Sequence, residues 1–139
     1  AVYSSVLNCL KEGSKLLKPG VLHSDYEKNM ASLVESELIK LGLLNVDEVA
    51  KQDPEKPLYK KYFMHGTAHH IGLDVHDVGP YKTIKKGMVF TCEPGIYISE
   101  EGIGCRLEND YLITENGNIN LTQAMPIEIE EIESLMKSS

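Results

Sequence analysis

Four of the five histidines of this chain lie in one short segment, HGTAHHIGLDVH (65–76). His65 and His69 have the spacing of the zinc motif H-E-x-x-H, which requires a helix and a glutamate that serves as general base. Gly66 stands where that glutamate would be, and glycine and β-branched residues disfavour a helix in this segment. We therefore expect an extended segment, in which both histidines lie on one face.

The sequence around and after this segment favours short strands. Glycines recur between residues 66 and 104, and they separate short apolar runs that are typical of strands. The predicted strands cover residues 88–92, 96–98, 111–113 and 119–121. We expect them to form an antiparallel sheet.

Two helices are predicted before this β region. Residues 1–17 carry apolar side chains at helical spacing and end at Lys18-Pro19-Gly20. A second helix is predicted to begin at Ser24, where Ser24 and Glu27 have the spacing of a capping box, and to end near Gly42. The short link between the helices indicates antiparallel neighbours.

Residues 45–60 are polar and contain two prolines, so we expect a surface loop. A last helix is predicted to begin at Met125-Pro126, because proline suits the first helical turn. Two helices, a β region and a final helix make an α+β domain.

Composition excludes several classes of function. The 139 residues fit a single domain, and a net charge of −7 without a basic cluster argues against a nucleic-acid partner. The apolar runs are too short to span a bilayer. Three cysteines without a paired pattern, and no signal peptide at the start of the sequence, predict a cytoplasmic protein with reduced thiols.

Two glutamates stand in contexts that suit metal ligands. Glu93 ends the apolar run MVFTC, and Glu108 lies two residues after Arg106. A carboxylate at the end of a buried strand is costly unless it is paired or bound to a metal ion. Glu93 could also be a turn residue, and Glu108 could form an ion pair with Arg106. One imidazole with carboxylates would suit Mn, Fe, Co or Zn.

Three sequence blocks together resemble the creatinase-like, or pita-bread, metallopeptidases. They are YFMHGTAHHIGLDVHDVG (62–79), GMVFTCEPGIYI (87–98) and GCRLENDYLIT (104–114). Within that family the chain is most similar to the Xaa-Pro aminopeptidases, with prolidases next. The resemblance implies a pita-bread fold, in which helices pack on a curved antiparallel sheet, and a metal-dependent cleavage of the amino-terminal Xaa-Pro bond.

The resemblance also implies roles for individual residues. His69, Glu93 and Glu108 match metal ligands, and Glu93 also matches the general acid and base. His65 and His76 match two histidines near the substrate, and Arg106 matches an arginine that orients the metal-bound carboxylates. His70 and Asn109 depart from the usual residues of the family; we expect His70 at most in a pocket wall and neither residue as a ligand.

The family binds two divalent ions, usually manganese but also cobalt or zinc, through five side chains. Two of those are aspartates of an upstream strand pair that does not occur in this sequence. We therefore expect residues 1–139 to be the carboxy-terminal portion of a catalytic domain. It would supply three of five ligands, be inactive alone and have little or no bound metal.

Other functions remain open at this point. A prolidase would cleave Xaa-Pro dipeptides, and a non-catalytic relative would bind peptides without cleaving them. The expected partner is a peptide with proline in second position, with no nucleic acid and no membrane. The intact protein is compatible with a homo-oligomer.

Overall fold

The first two helices pack against each other in antiparallel orientation, as predicted. In this computed structural model, which describes residues 1–137, α1 covers Val2–Ser14 and α2 covers His23–Lys40. Asn8 donates a hydrogen bond to Glu37 near the end of α2. One turn further along α1, Gly13 has no side chain, and Met30 nearer the start of α2 packs against it. The contacts therefore run in opposite directions along the two helices.

The predicted capping box is wrong. Leu22 is the N-cap residue, so Ser24 lies inside α2, and no side chain caps the helix. The Glu27 carboxylate does not return to the start of its own helix but accepts hydrogen bonds from Thr67 and Ala68. The Glu27 carboxylate, which the capping-box pattern assigned to the start of α2, therefore accepts from residues 40 and 41 positions away.

All the predicted strands are present, with small shifts at their ends, and one additional strand occurs. The strands are β1 (Val89–Cys92), β2 (Gly95–Ile98), β3 (Ile103–Arg106), β4 (Asn109–Ile113) and β5 (Asn118–Asn120). They form an antiparallel three-stranded sheet in the order β1-β4-β5 and an antiparallel pair β2-β3. The strand β3 was not predicted, because its four residues, IGCR, include a glycine, which is depleted in strands, and only two apolar side chains.

The segment 67–71 is extended and runs beside β1, as expected. The backbone N–H of Thr91 donates to the carbonyl of His69 at 3.0 Å, and that of Glu93 donates to the carbonyl of Thr67 at 2.8 Å. The N–H of Ile71 donates to Val89 at 3.3 Å. Because these bonds come from both segments, the histidine segment is fixed to the strand that precedes Glu93.

Two predicted boundaries differ from the structure. The expected loop 45–60 contains a short helix α3 (Val46–Val49) and the start of a 3-10 helix (Leu58–Lys61). The last helix, α4, covers Ile129–Lys137 and begins later than Pro126. A turn ends at Met125, whose N–H bonds to Thr122, and proline has no N–H with which to extend it.

The core lies between the two long helices and the strands. One buried cluster joins α1 and α2 to the three-stranded sheet, and a second joins them to β2. Tyr26, Met30 and Phe90 are central in the first cluster, and Val34 and Ile96 in the second. Among residues 1–137 no helix is both long enough and apolar enough to cross a membrane.

Candidate metal centre

The predicted site residues come together around one cleft of about 260 Å³, here called the site cleft. Its walls are formed by His65, Gly66, Ala68, His69, His76, Glu93 and Arg106. Glu108 joins the site from the edge: one ligand atom each of His69, Glu93 and Glu108 lie within 4.8 Å of one another. In the described part of the chain this is the one group of three or more potential metal ligands at such distances.

The strands explain why Glu93 and Glu108 are neighbours. Glu93 directly follows β1 and is 8% exposed, and Glu108 stands between β3 and β4. Cys92 pairs with Asn109 in the β1–β4 register, so the residues adjacent to that pair, Glu93 and Glu108, lie at the same end of the sheet.

The hydrogen bonds of His69 determine which ring nitrogen is available. Its Nδ1 lies 2.9 Å from the carbonyl oxygen of His70, and a carbonyl only accepts, so Nδ1 carries a hydrogen. In the neutral ring Nε2 then presents its lone pair, and Nε2 lies 3.2 Å from Glu93 Oε1. Two acceptors at this distance need a proton or a metal ion between them. This arrangement is typical of a ligating histidine, whose second nitrogen is held by a carbonyl.

Arg106 pairs with Glu93 and not with Glu108 as the alternative interpretation had it. Its Nη1 lies 3.6 Å from Glu93 Oε2, while Glu93 Oε1 faces His69. Glu108 has no such ion pair among residues 1–137. Desolvation by burial, together with the negative charge of Glu93, raises the pKa of Glu108. A cation between the two carboxylates would relieve this repulsion.

His76 reaches the site from the loop 71–79. Its ring lies against the ring of His69 in an edge-to-face contact, with 4.4 Å between the centroids. The Asp77 carboxylate shapes the loop, because it accepts hydrogen bonds from the backbone N–H groups of Leu73 at 3.0 Å and Val78 at 2.8 Å. His76 thus faces the cleft beside a candidate ligand.

His65 is held at both ring nitrogens. Nδ1 lies 2.7 Å from the carbonyl oxygen of Gly66 and donates to it, so Nε2 of the neutral ring accepts from the Tyr97 hydroxyl at 2.8 Å. Gly95 and Gly104 leave room for the Tyr97 ring, which lies where a Cβ of either would make a close contact. His65 and His69 both line the site cleft.

Thr91 is a buried site residue that the sequence analysis missed. Its hydroxyl accepts from the backbone N–H of His69 at 3.0 Å and donates to Glu93 Oε1 at 3.3 Å, and it therefore connects two candidate ligands. A hydroxyl residue two positions before a candidate ligand on a strand lies on the same face, and this spacing was the available signal.

His70 does not line the site cleft, so it does not have even the position in a pocket wall that was expected of it at most. It is 7% exposed and packs between Phe90 and Tyr81, with ring centroids 4.2 and 5.1 Å away. Asn109 is also buried, and its side-chain oxygen accepts a hydrogen bond from Thr122 at 2.9 Å. Neither side chain belongs to the group of potential ligands.

A larger cleft, of about 540 Å³, lies on the other side of His65. It runs between α2 and the region of Gln52, Pro57 and Tyr59. The smaller site cleft is nevertheless the better candidate for chemistry, because it holds the histidines and carboxylates at ligand distances.

The donor set fits a divalent transition metal ion. Ligand atoms stand about 2.0–2.2 Å from such an ion, so opposite ligands are about 4.2 Å apart. A group within 4.8 Å reaches these distances by shifts of a few tenths of an ångström in each side chain. One imidazole and two carboxylates also match the ligand preference of Mn, Co and Zn.

Comparison with known families agrees with this chemistry. The model of metallopeptidase family M24 matches residues 1–115. The chain belongs to metallopeptidase family M24. Among curated relatives, the Xaa-Pro aminopeptidase of Escherichia coli K12 is 41% identical over an alignment of 150 residues, gaps included. The alignment covers 97% of this chain and 33% of that protein. The intermediate cleaving peptidase 55 of Saccharomyces cerevisiae is 36% identical over 151 residues, covering 99% of this chain and 28% of that protein.

Solved structures extend the family assignment to the fold. Aminopeptidase PepP of Pseudomonas aeruginosa matches with a TM-score of 0.88 and 34% identity, over 99% of this chain and 34% of that one. Zn-substituted E. coli aminopeptidase P in complex with product matches with a TM-score of 0.86 and 39% identity, over 99% and 34%. The expected pita-bread fold is therefore confirmed. The M24 chain described here spans about a third of the length of these relatives.

Proposed function

We propose that this chain supplies metal-binding and substrate-binding residues of an Xaa-Pro aminopeptidase, which hydrolyses the bond between an amino-terminal residue and proline. The observation that carries the proposal is the approach of His69, Glu93 and Glu108, with ligand atoms within 4.8 Å of one another. The two histidines and the arginine of the same cleft surround that group.

His69, Glu93 and Glu108 would hold the metal, with His69 binding through Nε2. We propose manganese as the usual ion, with cobalt or zinc as substitutes; one solved relative is an aminopeptidase P with zinc in substitution. Three side chains fill only part of two coordination shells. We therefore propose that ligands outside these 139 residues complete the site, and that this carboxy-terminal portion of the catalytic domain alone binds metal weakly and is inactive. When bound, the ions would polarise the scissile carbonyl and make water more acidic.

Glu93 is the proposed proton carrier. It would take a proton from the attacking water and deliver it to the leaving nitrogen. Arg106 near Oε2 and Thr91 at Oε1 fix the two oxygens of this carboxylate, so its orientation is set before the substrate arrives. Arg106 therefore acts by orienting Glu93.

The two remaining histidines are proposed to contact the substrate. His76 stands beside His69 without belonging to the group of potential ligands, so its ring is available to donate to the carbonyl oxygen as negative charge develops there. His65, fixed by Gly66 and Tyr97, would form a wall next to the bound peptide.

Proline in second position is the proposed specificity. The peptide bond before proline has no N–H group. Peptidases that bind the N–H of the scissile bond lose that contact with an Xaa-Pro substrate, so cleavage of this bond calls for a specialised enzyme. The support comes from relatives that are Xaa-Pro aminopeptidases, and from an E. coli aminopeptidase P structure with the inhibitor Pro-Leu. A cytoplasmic location and a homo-oligomeric assembly remain predictions.

The test uses the full-length protein, which includes the proposed ligands outside these 139 residues, with added Mn²⁺ and three substrates: an Xaa-Pro tripeptide, an Xaa-Pro dipeptide and an Xaa-Ala tripeptide. The proposal expects cleavage of the Xaa-Pro tripeptide and at least about 100-fold less activity after Glu93→Gln, since general acid–base groups contribute about 10²–10⁴-fold. Glu101→Gln, an exposed neighbour on the Ser99–Glu101 turn, is the matched control. Cleavage of the dipeptide alone indicates a prolidase, and peptide binding without cleavage indicates a non-catalytic relative.

A further inference from the structure

Glu27 on α2 makes an unusual set of contacts with the segment between His65 and His69. Its carboxylate accepts the backbone N–H of Thr67 at 3.0 Å and that of Ala68 at 3.0 Å. It also accepts the Thr67 hydroxyl at 3.0 Å. We call this set of contacts the Glu27 clamp.

His23, one turn earlier on α2, completes the attachment. Its Nε2 lies 3.1 Å from the carbonyl oxygen of Ala68 and donates to it. Two side chains on one face of α2 therefore bind both the N–H and the C=O of Ala68. In this way the helix replaces a neighbouring strand on that side of the segment.

The opposite side of the same segment is bound by β1. The carbonyl of Thr67 accepts from the N–H of Glu93 at 2.8 Å, and the carbonyl of His69 accepts from the N–H of Thr91 at 3.0 Å. Thr67, which is fully buried, is thus bonded to Glu27 through its N–H and to Glu93 through its C=O. One peptide unit lies between the Glu27 carboxylate and the backbone of a proposed metal ligand.

We propose that Glu27 is a positioning residue for the metal centre. The inference rests on the function proposed above, because it concerns the placement of His69 and Glu93 as ligands. Loss of the carboxylate leaves two backbone N–H groups and a buried hydroxyl without their acceptor. Buried donors without an acceptor cost free energy, which favours a shift of the segment towards new acceptors. Because His69 follows Ala68 directly, any movement of this segment changes the position of its Nε2. Ligand sites tolerate displacements of only about 0.5 Å.

The geometry separates this role from two ordinary ones. Glu27 is not a helix cap, because its acceptors are used by residues 40 and 41 positions away. It is also not a typical surface carboxylate, because its side chain is 27% exposed and the nearest cation-forming group, His23, lies 3.8 Å away.

The experiment compares Glu27→Gln with wild type in the full-length protein, in which the proposed ligands outside these 139 residues are present. Glutamine keeps the size of the side chain but has one acceptor oxygen, and its NH₂ group faces the N–H donors. Glu35→Gln is the matched control, since Glu35 lies on the same helix and accepts from Gln52 at 2.8 Å. The probe is Co²⁺, whose affinity and visible spectrum report the ligand geometry. Amide hydrogen exchange at Thr67 and Ala68 reports the clamp itself.

The expected result is faster exchange at both amides and about 10-fold weaker Co²⁺ binding in Glu27→Gln, at the lower end of the range for groups that orient ligands. Glu35→Gln is expected to match wild type. Thermal unfolding of the metal-free proteins verifies that each variant is folded. Thr67→Val removes only the hydroxyl of the clamp. This second variant should also bind Co²⁺ more weakly than wild type, with a smaller loss than Glu27→Gln.

Two results overturn the inference, and they are distinguishable. If wild type binds Co²⁺ through His69 and Glu27→Gln binds it equally well with the same spectrum, the positioning role is wrong and the proposed function stands. If the His69→Ala variant binds Co²⁺ as tightly as wild type does, the proposed metal site is wrong, and the positioning role is wrong with it.

Discussion

Nε2 of His69 faces Oε1 of Glu93 at 3.2 Å, while Nδ1 of the same ring is bound to a backbone carbonyl. This contact predicts a metal ligand at His69 and none at its neighbour His70. In the full-length protein His69→Ala should lower the affinity for Mn²⁺ or Co²⁺ by about 100-fold or more. His70→Phe retains a ring against Phe90 and should change the affinity less than about 2-fold. Isothermal titration of both variants measures the difference, and equal losses would contradict the assignment.

The Thr91 hydroxyl, bonded to the N–H of His69 and to Glu93, gives a second prediction. Thr91→Val preserves the shape but removes both bonds, and we expect about 10-fold weaker metal binding. Thr91→Ser restores the hydroxyl and should recover most of the affinity. A valine variant that binds metal as tightly as the serine variant would show that packing, not hydrogen bonding, matters here.

His76 stands beside the candidate ligand His69 but outside the ligand group. In the full-length protein His76→Ala should therefore lower turnover by roughly 100-fold, since one donor to a developing oxyanion contributes about 10²–10³-fold. The same change should lower metal content far less. Steady-state kinetics and metal analysis on the same preparation are compared. Equal loss of turnover and metal would make His76 a ligand.

Glu37 predicts how stability depends on pH. Burial opposes its ionisation, but hydrogen bonds from Lys40, Ser5 and Asn8 outweigh this and lower its pKa. A carboxyl with a lowered folded-state pKa stabilises the protein above its unfolded-state pKa and loses that effect as pH falls through the folded-state value. The free energy of unfolding of the wild type should therefore exceed that of the Glu37→Gln variant by about 1–3 kcal/mol near neutral pH.

That difference should shrink below the usual carboxyl pKa of 4.5. Urea unfolding at pH 7 and at pH 3 measures it, with Glu12→Gln as the control, because Glu12 is a half-buried carboxylate on α1 that pairs with Lys15. A difference between wild type and Glu37→Gln that stays constant with pH would contradict this origin.

The cysteines should differ in reactivity towards iodoacetamide. Burial raises the pKa of Cys9 and of Cys92 to about 12, and Cys105 is only partly buried. Since the thiolate is the reactive form, the native protein at pH 8 should be labelled first at Cys105. Mass spectrometry of peptides identifies the labelled site, and the unfolded protein should react at all three. Faster labelling of Cys92 than of Cys105 would contradict the packing.

The sequence was most informative where residues act through local patterns. The spacing of apolar runs predicted four strands. The family resemblance predicted that His69, Glu93 and Glu108 lie together as ligands, and their ligand atoms are within 4.8 Å of one another. It failed where a partner is distant in the chain. Glu27 matched a local capping pattern, yet its partner lies 40 residues away, and no local rule weighs that competition.

The ion pair of Arg106 illustrates the same limit. On one strand, residues two apart share a face, which made Glu108 a possible partner of Arg106. In the fold, Glu93 lies just before β2, whose Gly95 is paired with Arg106, and Arg106 forms its ion pair with Glu93 instead. Both carboxylates were foreseeable as site residues, but the choice between them depends on strand register, which the spacing alone does not determine.

The Glu27 clamp also has a consequence for the order of folding. It joins residues 40 positions apart, whereas β2 and β3 pair across a short turn between Ile98 and Ile103. Closing the longer loop costs more chain entropy, so hairpin contacts have the kinetic advantage. The strand framework that carries the acidic ligands is thus expected to form early. The segment that carries the imidazole ligand is held on one side by β1 and is held on both sides only after α2 docks, which completes the site late in folding.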